Sequence, residues 1–352
     1  VIMFNNFFKK KKVLIIGNTG FKGSWLSIWL LKLGADVYGL SKNIPTKPSL
    51  FQATNLNKKY KTFYKDINYI NDIYKVVNKV RPQIIFHLAA QPLVVQSYKS
   101  PFETFMTNSF GFNNVIEVIR NSSFVKTAIL VTSDKVYENV EKKNGYKETD
   151  RLAGIDPYSA SKSCAEIIYK SYFKSFLINT NLKSAIGRAG NVIGGGDWAD
   201  NRIIPDIVRS KYKKKKLIIK NPNSTRPWQH VLEPISGYLL LGQILNSNNQ
   251  KVNGESFNFG PPSNQNKKVR ELLNIFNKKI KFKKHNDKKL YESKLLKLNC
   301  KKASRFLYWK SVLNFKTLLQ FTSEWYENFY IKKKNSFNFT VDQTKKYENI
   351  AK

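Results

Sequence analysis

The sequence predicts an α/β fold, a Rossmann-type doubly wound parallel sheet with a smaller, mostly C-terminal substrate domain. Three observations carry this. Short apolar runs alternate with helical stretches through the first half of the chain. The first such run, Val13–Gly17, leads directly into a glycine-rich turn. After about residue 265 the alternation gives way to lysine-rich sequence that reads as mostly helical. Alternating β and α units imply parallel strands joined by crossover helices, with ligands bound at the carboxyl ends of the strands.

The elements follow in order. Val13–Gly17 is a buried strand, and Ser24–Leu33 is an apolar helix stopped by Gly34. Asp36–Leu40 reads as the second strand. Asn71 is expected to cap a helix that runs through Val80 and breaks at Arg81-Pro82. Strand Ile84–Leu88, helix Glu103–Asn121 and strand Ala128–Thr132 complete the first series. Asp156 and Pro157 then supply an N-cap and a first helical residue. Strand Lys183–Arg188 follows. Gly194-Gly195-Gly196 and Asn221-Pro222-Asn223 mark a loop-rich region, and the tail after about residue 332 is polar and expected to fray.

Composition narrows the class. The chain has 352 residues, 41% of them hydrophobic, enough for a large core. No run of about 18 apolar residues is present, so no membrane span is expected. The basic N-terminal stretch lacks the order of a secretion signal. Two cysteines, Cys164 and Cys300, make neither a disulfide framework nor a metal cluster, which places the protein in a reducing cytoplasm with no metal expected. The net charge is +37, but only nine of the 61 basic residues are arginine and the lysine runs are scattered. Arginine is the residue that nucleic-acid recognition favours. The charge therefore reads as a solvated, compositionally biased surface, with neither nucleic acid nor membrane expected as a partner.

The turn Gly17-Asn18-Thr19-Gly20-Phe21-Lys22-Gly23 lies between a strand and a helix. Its first glycine permits a tight turn, its second lets the backbone approach a pyrophosphate, and its third allows close packing of helix on strand. The spacing is GxxGxxG, and its place after the first strand makes it a dinucleotide cradle. An acidic residue ending the second strand would select a free ribose 2′-hydroxyl. Here that strand ends Gly39-Leu40-Ser41-Lys42, so the residues leave NAD and NADP open. Asp66, after the next strand-like run, reads either as an acceptor for an adenine amino group or as a surface turn aspartate.

Four YxxxK pairs occur, beginning at Tyr38, Tyr158, Tyr212 and Tyr330, close to chance in so lysine-rich a chain. Context selects Tyr158 and Lys162, which share a face of a capped helix. They follow a strand ending Thr132-Ser133-Asp134-Lys135. An ammonium beside a phenol is expected to lower its pKa, so that Tyr158 can take a proton from a substrate hydroxyl. Ser133 is expected to bond the reacting oxygen. His87 reads as a structural residue closing a buried strand, and Cys164 as a packing residue.

These residues together resemble the extended short-chain dehydrogenase/reductase family over roughly residues 13 to 330. Longer strings narrow the resemblance to its CDP-glucose 4,6-dehydratases: the glycine turn through Trp25, Gln91-Pro92-Leu93-Val94, Thr132–Lys135, Gly187–Trp198 and Arg226–Pro234. The resemblance implies NAD as cofactor. It is implied to be held by Gly17, Gly20, Phe21, Lys22, Gly23, Asp66, Ile67, Leu88, Ala89, Ala90 and Asn108, with Tyr158 and Lys162. It implies CDP-glucose as substrate, held by Gln91, Asn191, Arg202, Ile203 and Arg226, and catalysis by Ser133, Asp134, Lys135, Tyr158 and Lys162. The implied reaction oxidises C4, eliminates water across C5–C6 and returns hydride to C6. Asp134 is implied to be the acid at the 6-hydroxyl, while Lys135 stays open between base and electrostatic role. A homo-oligomer, dimer or tetramer, is also implied.

The expected division is 1–185 with 230–262 for the dinucleotide, 186–229 with 263–332 for the nucleotide sugar, and 333–352 as the tail. Ile16 and Asn18 stand where this group usually has threonine and histidine, and Asn299 and Tyr308 where it has aspartate and glycine. Same-fold alternatives are a dTDP-sugar dehydratase and a UDP-sugar 4-epimerase; the second needs no acid such as Asp134. A non-catalytic binder of nucleic acid or anionic membrane is the alternative of another class.

Overall fold

A computed structural model describes residues 3–213, 217–219, 222–247, 251–262, 265–276, 282–284 and 295–352. Part of the lysine run at 213–216, the asparagine at 221 and the lysine-rich stretches at 277–281 and 285–294 lie outside these.

Seven parallel strands form one sheet: β1 (Lys12–Ile16), β2 (Asp36–Ser41), β3 (Lys61–Tyr64), β4 (Ile84–His87), β5 (Thr127–Val131), β6 (Lys183–Ala189) and β7 (Ser256–Phe259). Their order across the sheet is β7-β6-β5-β4-β1-β2-β3. β1, β4 and β5 have almost no exposed side chains, as a sheet covered on both faces requires. Register is continuous: Ile16 pairs with His87, and His87 with Leu130. The order reverses between β1 and β4, so a crevice opens at their carboxyl ends.

One face of the sheet packs on α1 (Phe21–Lys32) and the long helix Leu232–Asn246, through Trp25, Trp29, Leu239 and Phe86. The other packs on Ile70–Val80, Gly111–Arg120 and Pro157–Tyr172, through Val77, Ile116, Leu130 and Tyr169. Above the carboxyl edge three small ladders carry the loop-rich region: Val192–Ile193 with Gln229–His230, Thr225–Pro227 with Asn266–Lys268, and Leu217–Ile219 with Phe282–Lys284. The expected boundary at 185 falls inside β6, which runs on to Ala189. Among the described residues no helix is long and apolar enough to cross a membrane.

Several elements differ from the sequence reading. α1 begins at Phe21, three residues early, because the glycine turn itself winds into it. Tyr69, not Asn71, precedes the helix that ends at Arg81, which takes a left-handed conformation. The helix expected from Glu103 is preceded by Val94–Lys99, starts at Pro101, and passes through a π turn at Met106–Phe110 before Gly111–Arg120.

The largest correction is the tail. Ser336–Ala351 is a helix docked on α1. Trp29 Nε1 donates to Glu348 at 2.8 Å, Lys32 pairs with the same carboxylate, and Tyr347 Oη donates to Glu233 at 2.8 Å. Its buried face is Thr340, Gln343, Thr344 and Tyr347, at helical spacing but polar, so a search for apolar periodicity passes over it.

Candidate active site

The crevice at the β1–β4 reversal widens into a cleft of about 1530 Å³. Single small-ligand pockets hold roughly 300–1,000 Å³, so the cleft has room for a dinucleotide and a second ligand together.

Its floor is the glycine turn. Gly17 has φ +96°, and a Cβ there would stand 2.6 Å from the Ala89 nitrogen. A Cβ on Gly23 would stand 2.1 Å from the Gly17 carbonyl. Gly20 meets only one neighbour, at 3.4 Å, so its surface faces the cleft. Gly20 also caps α1 without a side-chain hydrogen bond, which leaves the first turn's N–H groups to an anion. This cradle fits a pyrophosphate.

Asn18 ties the turn to its neighbours. Its amide donates to Thr62 at 2.9 Å and Tyr60 at 3.1 Å, and its oxygen accepts from Ser41 at 2.8 Å. Leu88, Ala89 and Ala90 form the opposite wall, and Asp66 and Ile67 the far end. There Lys42 Nζ lies 2.9 Å from Asp66, so the cation at the end of β2 has a carboxylate partner.

The reactive end is built by β5 and Pro157–Tyr172. β5 stops at Val131, and Ser133 caps a 3-10 turn, Asp134–Val136, by accepting from the Lys135 N–H at 3.3 Å. Adjacent strand residues face opposite sides, and this turn is the bend that lets Asp134 and Lys135 line one cleft. Ser133 Oγ also donates to Asp134 at 3.1 Å. The helix opens with the Asp156 carboxylate accepting from the Ser159 N–H at 3.0 Å and Pro157 in its first turn. Tyr158 and Lys162 are both buried one turn apart on it, and Ser133 hydrogen-bonds the Tyr158 phenol.

Electrostatics correct one expectation. The Tyr158 phenol is pushed up to about 12, chiefly by burial; Ser133 and Arg202 oppose this and Asp134 adds to it. Lys162 does not figure among the groups that depress it. Lys162 is itself brought down to about 8 by burial and then by Lys22, with Glu166 opposing. Lys22 is also lowered to about 8, by burial and Arg202 against Asp134. Lys22, Lys162 and Arg202 thus meet at this end of the cleft, with Asp134, Glu166 and Asp197 as the carboxylates that answer them. Burial brings His87 down to about 3, and its Nδ1 has no partner, which fits a neutral packing residue.

Asn191, Arg202, Ile203, Arg226 and Gln91 line the same cleft, and Arg202 is held by Asp197 at 3.0 Å. Asn108 does not line the cleft. It is buried in the π turn, accepts from the Gln91 N–H at 2.8 Å, and donates to the Gln91 carbonyl at 3.1 Å and Ser161 at 3.0 Å. It braces the loop that carries Gln91.

Sequence reasoning missed what lies behind the cleft. Glu166 and Arg188 form an ion pair with both side chains at 0% exposure. Glu166 stands four residues after Lys162, on the face Tyr158 and Lys162 share, and that spacing was the available signal.

A parallel sheet with a glycine cradle at its switch point, facing a serine, tyrosine and lysine, defines the class: a short-chain dehydrogenase/reductase of the extended type. The model of the GDP-mannose 4,6 dehydratase family matches residues 14–322. The CDP-glucose 4,6-dehydratase of Salmonella typhimurium is 41% identical over 86% of this chain and 87% of its own. The dTDP-D-glucose 4,6-dehydratase of Dictyostelium discoideum is 29% identical over 65% of this chain and 54% of its own. The solved dTDP-glucose 4,6-dehydratase DesIV of Streptomyces venezuelae, with NAD and TYD bound, superposes with TM-score 0.77 at 21% identity, covering 92% of this chain and 100% of that one. The chain belongs to the GDP-mannose 4,6 dehydratase family.

Proposed function

We propose that this chain is an NAD-dependent CDP-glucose 4,6-dehydratase, making CDP-4-keto-6-deoxyglucose. The observation that carries the reading is the bent Ser133-Asp134-Lys135 turn, which sets a carboxyl and an ammonium group beside Tyr158 in one cleft. An epimerase has no use for an acid there. The Salmonella relative supports cytidine as the base.

When bound, NAD accepts hydride from C4 and donates it to C6. Tyr158 takes the proton of the 4-hydroxyl, with Ser133 bonding the same oxygen. A phenol held near 12 is a proton acceptor only when its surroundings favour the phenolate, and the Ser133 hydroxyl and the Arg202 guanidinium are the groups that pull it that way. The ketone at C4 acidifies C5. Asp134 gives a proton to the departing 6-hydroxyl, which leaves as water, and Lys135 takes the C5 proton or stabilises the resulting enolate. A proton returns to C5 as C6 is reduced, so the net change is loss of one water.

We assign the dinucleotide to Gly17, Gly20, Phe21, Lys22, Gly23, Asp66, Ile67 and Leu88–Ala90, and the nucleotide sugar to Gln91, Asn191, Arg202, Ile203 and Arg226. Lys42 is partnered by Asp66, which supports NAD over NADP. The division into 1–185 with 230–262 and 186–229 with 263–332 stands as our reading of the two lobes. Two cysteines without a disulfide support a reducing cytoplasm. No nucleic-acid partner is assigned. We assign a homo-oligomer, with a second copy covering the exposed Phe102, Phe110, Ile167 and Phe176 on neighbouring helices.

Incubating the protein and NAD with CDP-, dTDP-, UDP- and GDP-glucose tests the reading. A 4-keto product from CDP-glucose in preference to the others is expected, and a 4-epimer or no product overturns it. Tyr158→Phe is expected to fold and bind substrate but lose about 10²–10⁴ in rate; more than about a tenth of the activity remaining would exclude Tyr158 as the base.

A further inference from the structure

We propose that the buried Glu166–Arg188 ion pair is a positioning device that clamps both flanks of the Ser133-Asp134-Lys135 turn, fixing where Asp134 and Lys135 meet the sugar. The chemical consequence rests on the dehydratase reading; the clamp itself does not.

The turn has little to hold it from within. Its internal bonds, Ser133 Oγ to Asp134 at 3.1 Å and Lys135 N–H to Ser133 Oγ at 3.3 Å, are long. Its support comes from outside. On one flank Thr132 Oγ1 donates to Glu166 Oε1 at 2.6 Å. On the other, Tyr137 Oη accepts from Arg188 Nη1 at 2.6 Å and donates to Asn258 Oδ1 at 2.7 Å. The guanidinium also lies over the Tyr137 ring, 4.9 Å from its centre. Arg188 Nε closes the circuit on Glu166 at 2.8 Å and 3.0 Å. Both flanks of one reactive turn therefore end on a single ion pair.

A buried ion pair is weak evidence for stability, because desolvation offsets the attraction and apolar replacements often serve as well. A fully satisfied buried network does rigidify what it touches. What this one touches is informative. Glu166 is on the helix of Tyr158 and Lys162, and Arg188 is on β6, three residues before Asn191. The pair thus sets the turn against the element that carries the base and the strand that leads into the sugar side. Leucine in place of either member could fill the space but could not hold Thr132 and Tyr137 in register.

Thr132→Val and Tyr137→Phe each remove one flank's hydroxyl and keep the pair. Two measurements apply. Single-turnover reaction with CDP-glucose deuterated at C5 separates oxidation, read as reduced nicotinamide absorbance, from elimination, read as label lost to solvent. Amide hydrogen exchange follows residues 133–136 in the unliganded protein.

In each variant, oxidation should stay within about twofold while elimination slows by about tenfold to a hundredfold, the scale on which a misplacement of about 1 Å acts. The Lys135 amide should exchange faster, with β5 and Pro157–Tyr172 unchanged. Equal loss of both steps along with a lower Tm would make the pair merely structural and overturn the proposal. So would unchanged kinetics with unchanged exchange. If the unsubstituted protein oxidises no nucleotide sugar, the dehydratase reading fails. Exchange at 133–136 then decides the clamp alone, and unaltered rates sink it.

Discussion

At position 190 a hydrogen atom occupies space that any other residue would fill. A Cβ there would lie 1.9 Å from Asp134 Oδ2. The obstructed atom is a side-chain tip, so the fold can absorb the intrusion and the carboxylate cannot. Gly190→Ala should keep its melting temperature within a few degrees yet lose elimination by about a hundredfold, measured as reduced cofactor that persists after addition of CDP-glucose. A variant as fast as the parent would mean that Asp134 works from another position. Lys22 offers a second test. Its folded pKa lies near 8, below the unfolded value of 10.5. The folded state therefore binds the proton less well, and the penalty is complete below about pH 8. It shrinks as pH rises from 8 towards 10.5. Lys22→Met should stabilise the unliganded protein at pH 7, by at most about 3 kcal/mol, and the gain should fade across that window. Thermal melts at pH 7 and pH 10 decide it; a gain that grows with pH would refute the assignment.

Among elements, the helix Ser336–Ala351 shows what periodicity can and cannot reveal. The Glu233 carboxylate is buried and accepts from the N–H groups of Val312 at 3.0 Å and Leu313 at 2.7 Å, and from Tyr347. Tyr347→Phe removes one of these donors and leaves a buried oxygen short, which should cost about 1–3 kcal/mol, read in urea unfolding. No loss would show that the helix adds nothing at that contact. β1, β4 and β5 were legible because each is a short, mostly apolar run between breakers, and Asp156-Pro157 announced its helix through cap chemistry. The tail helix was not, because its inner face is held by hydroxyls and amides that also suit a disordered segment. The site divides in the same way. The glycine turn follows from its local spacing, and the Tyr158–Lys162 face from spacing together with the strand ending Thr132-Ser133 that precedes it. The bend after Ser133 has a local cap in Ser133 itself, but the residues that anchor its flanks, Glu166 and Arg188, are brought to it only by the tertiary fold, and no local pattern announces them.

Across the whole molecule, charge and exposed apolar surface point in different directions. The net charge of +37 opposes self-association. Yet Phe102 at 76%, Phe110 and Ile167 at 58% and Phe176 at 52% exposure are large apolar side chains left open on helices that pack on one another. Surfaces of this kind mark association sites. Light scattering at moderate salt should give a dimer or larger. Phe102→Glu with Ile167→Glu should halve the mass or more, and the same mass in parent and variant would remove these residues from the interface.

The contact between Trp29 and Glu348 joins residues 319 apart. It sets a timetable for biosynthesis. Synthesis proceeds at roughly 5–20 residues per second and domains tend to fold as they emerge. Here the helix that forms the phosphate cradle is made some 300 residues before Ser336–Ala351, and its outer side keeps Trp29 uncovered until that helix has left the ribosome. A product stopped short of residue 336 would carry the entire catalytic cleft and still expose that seam to chaperones and proteases. For this enzyme, possession of the active site and survival in the cell are completed at different moments of its own translation.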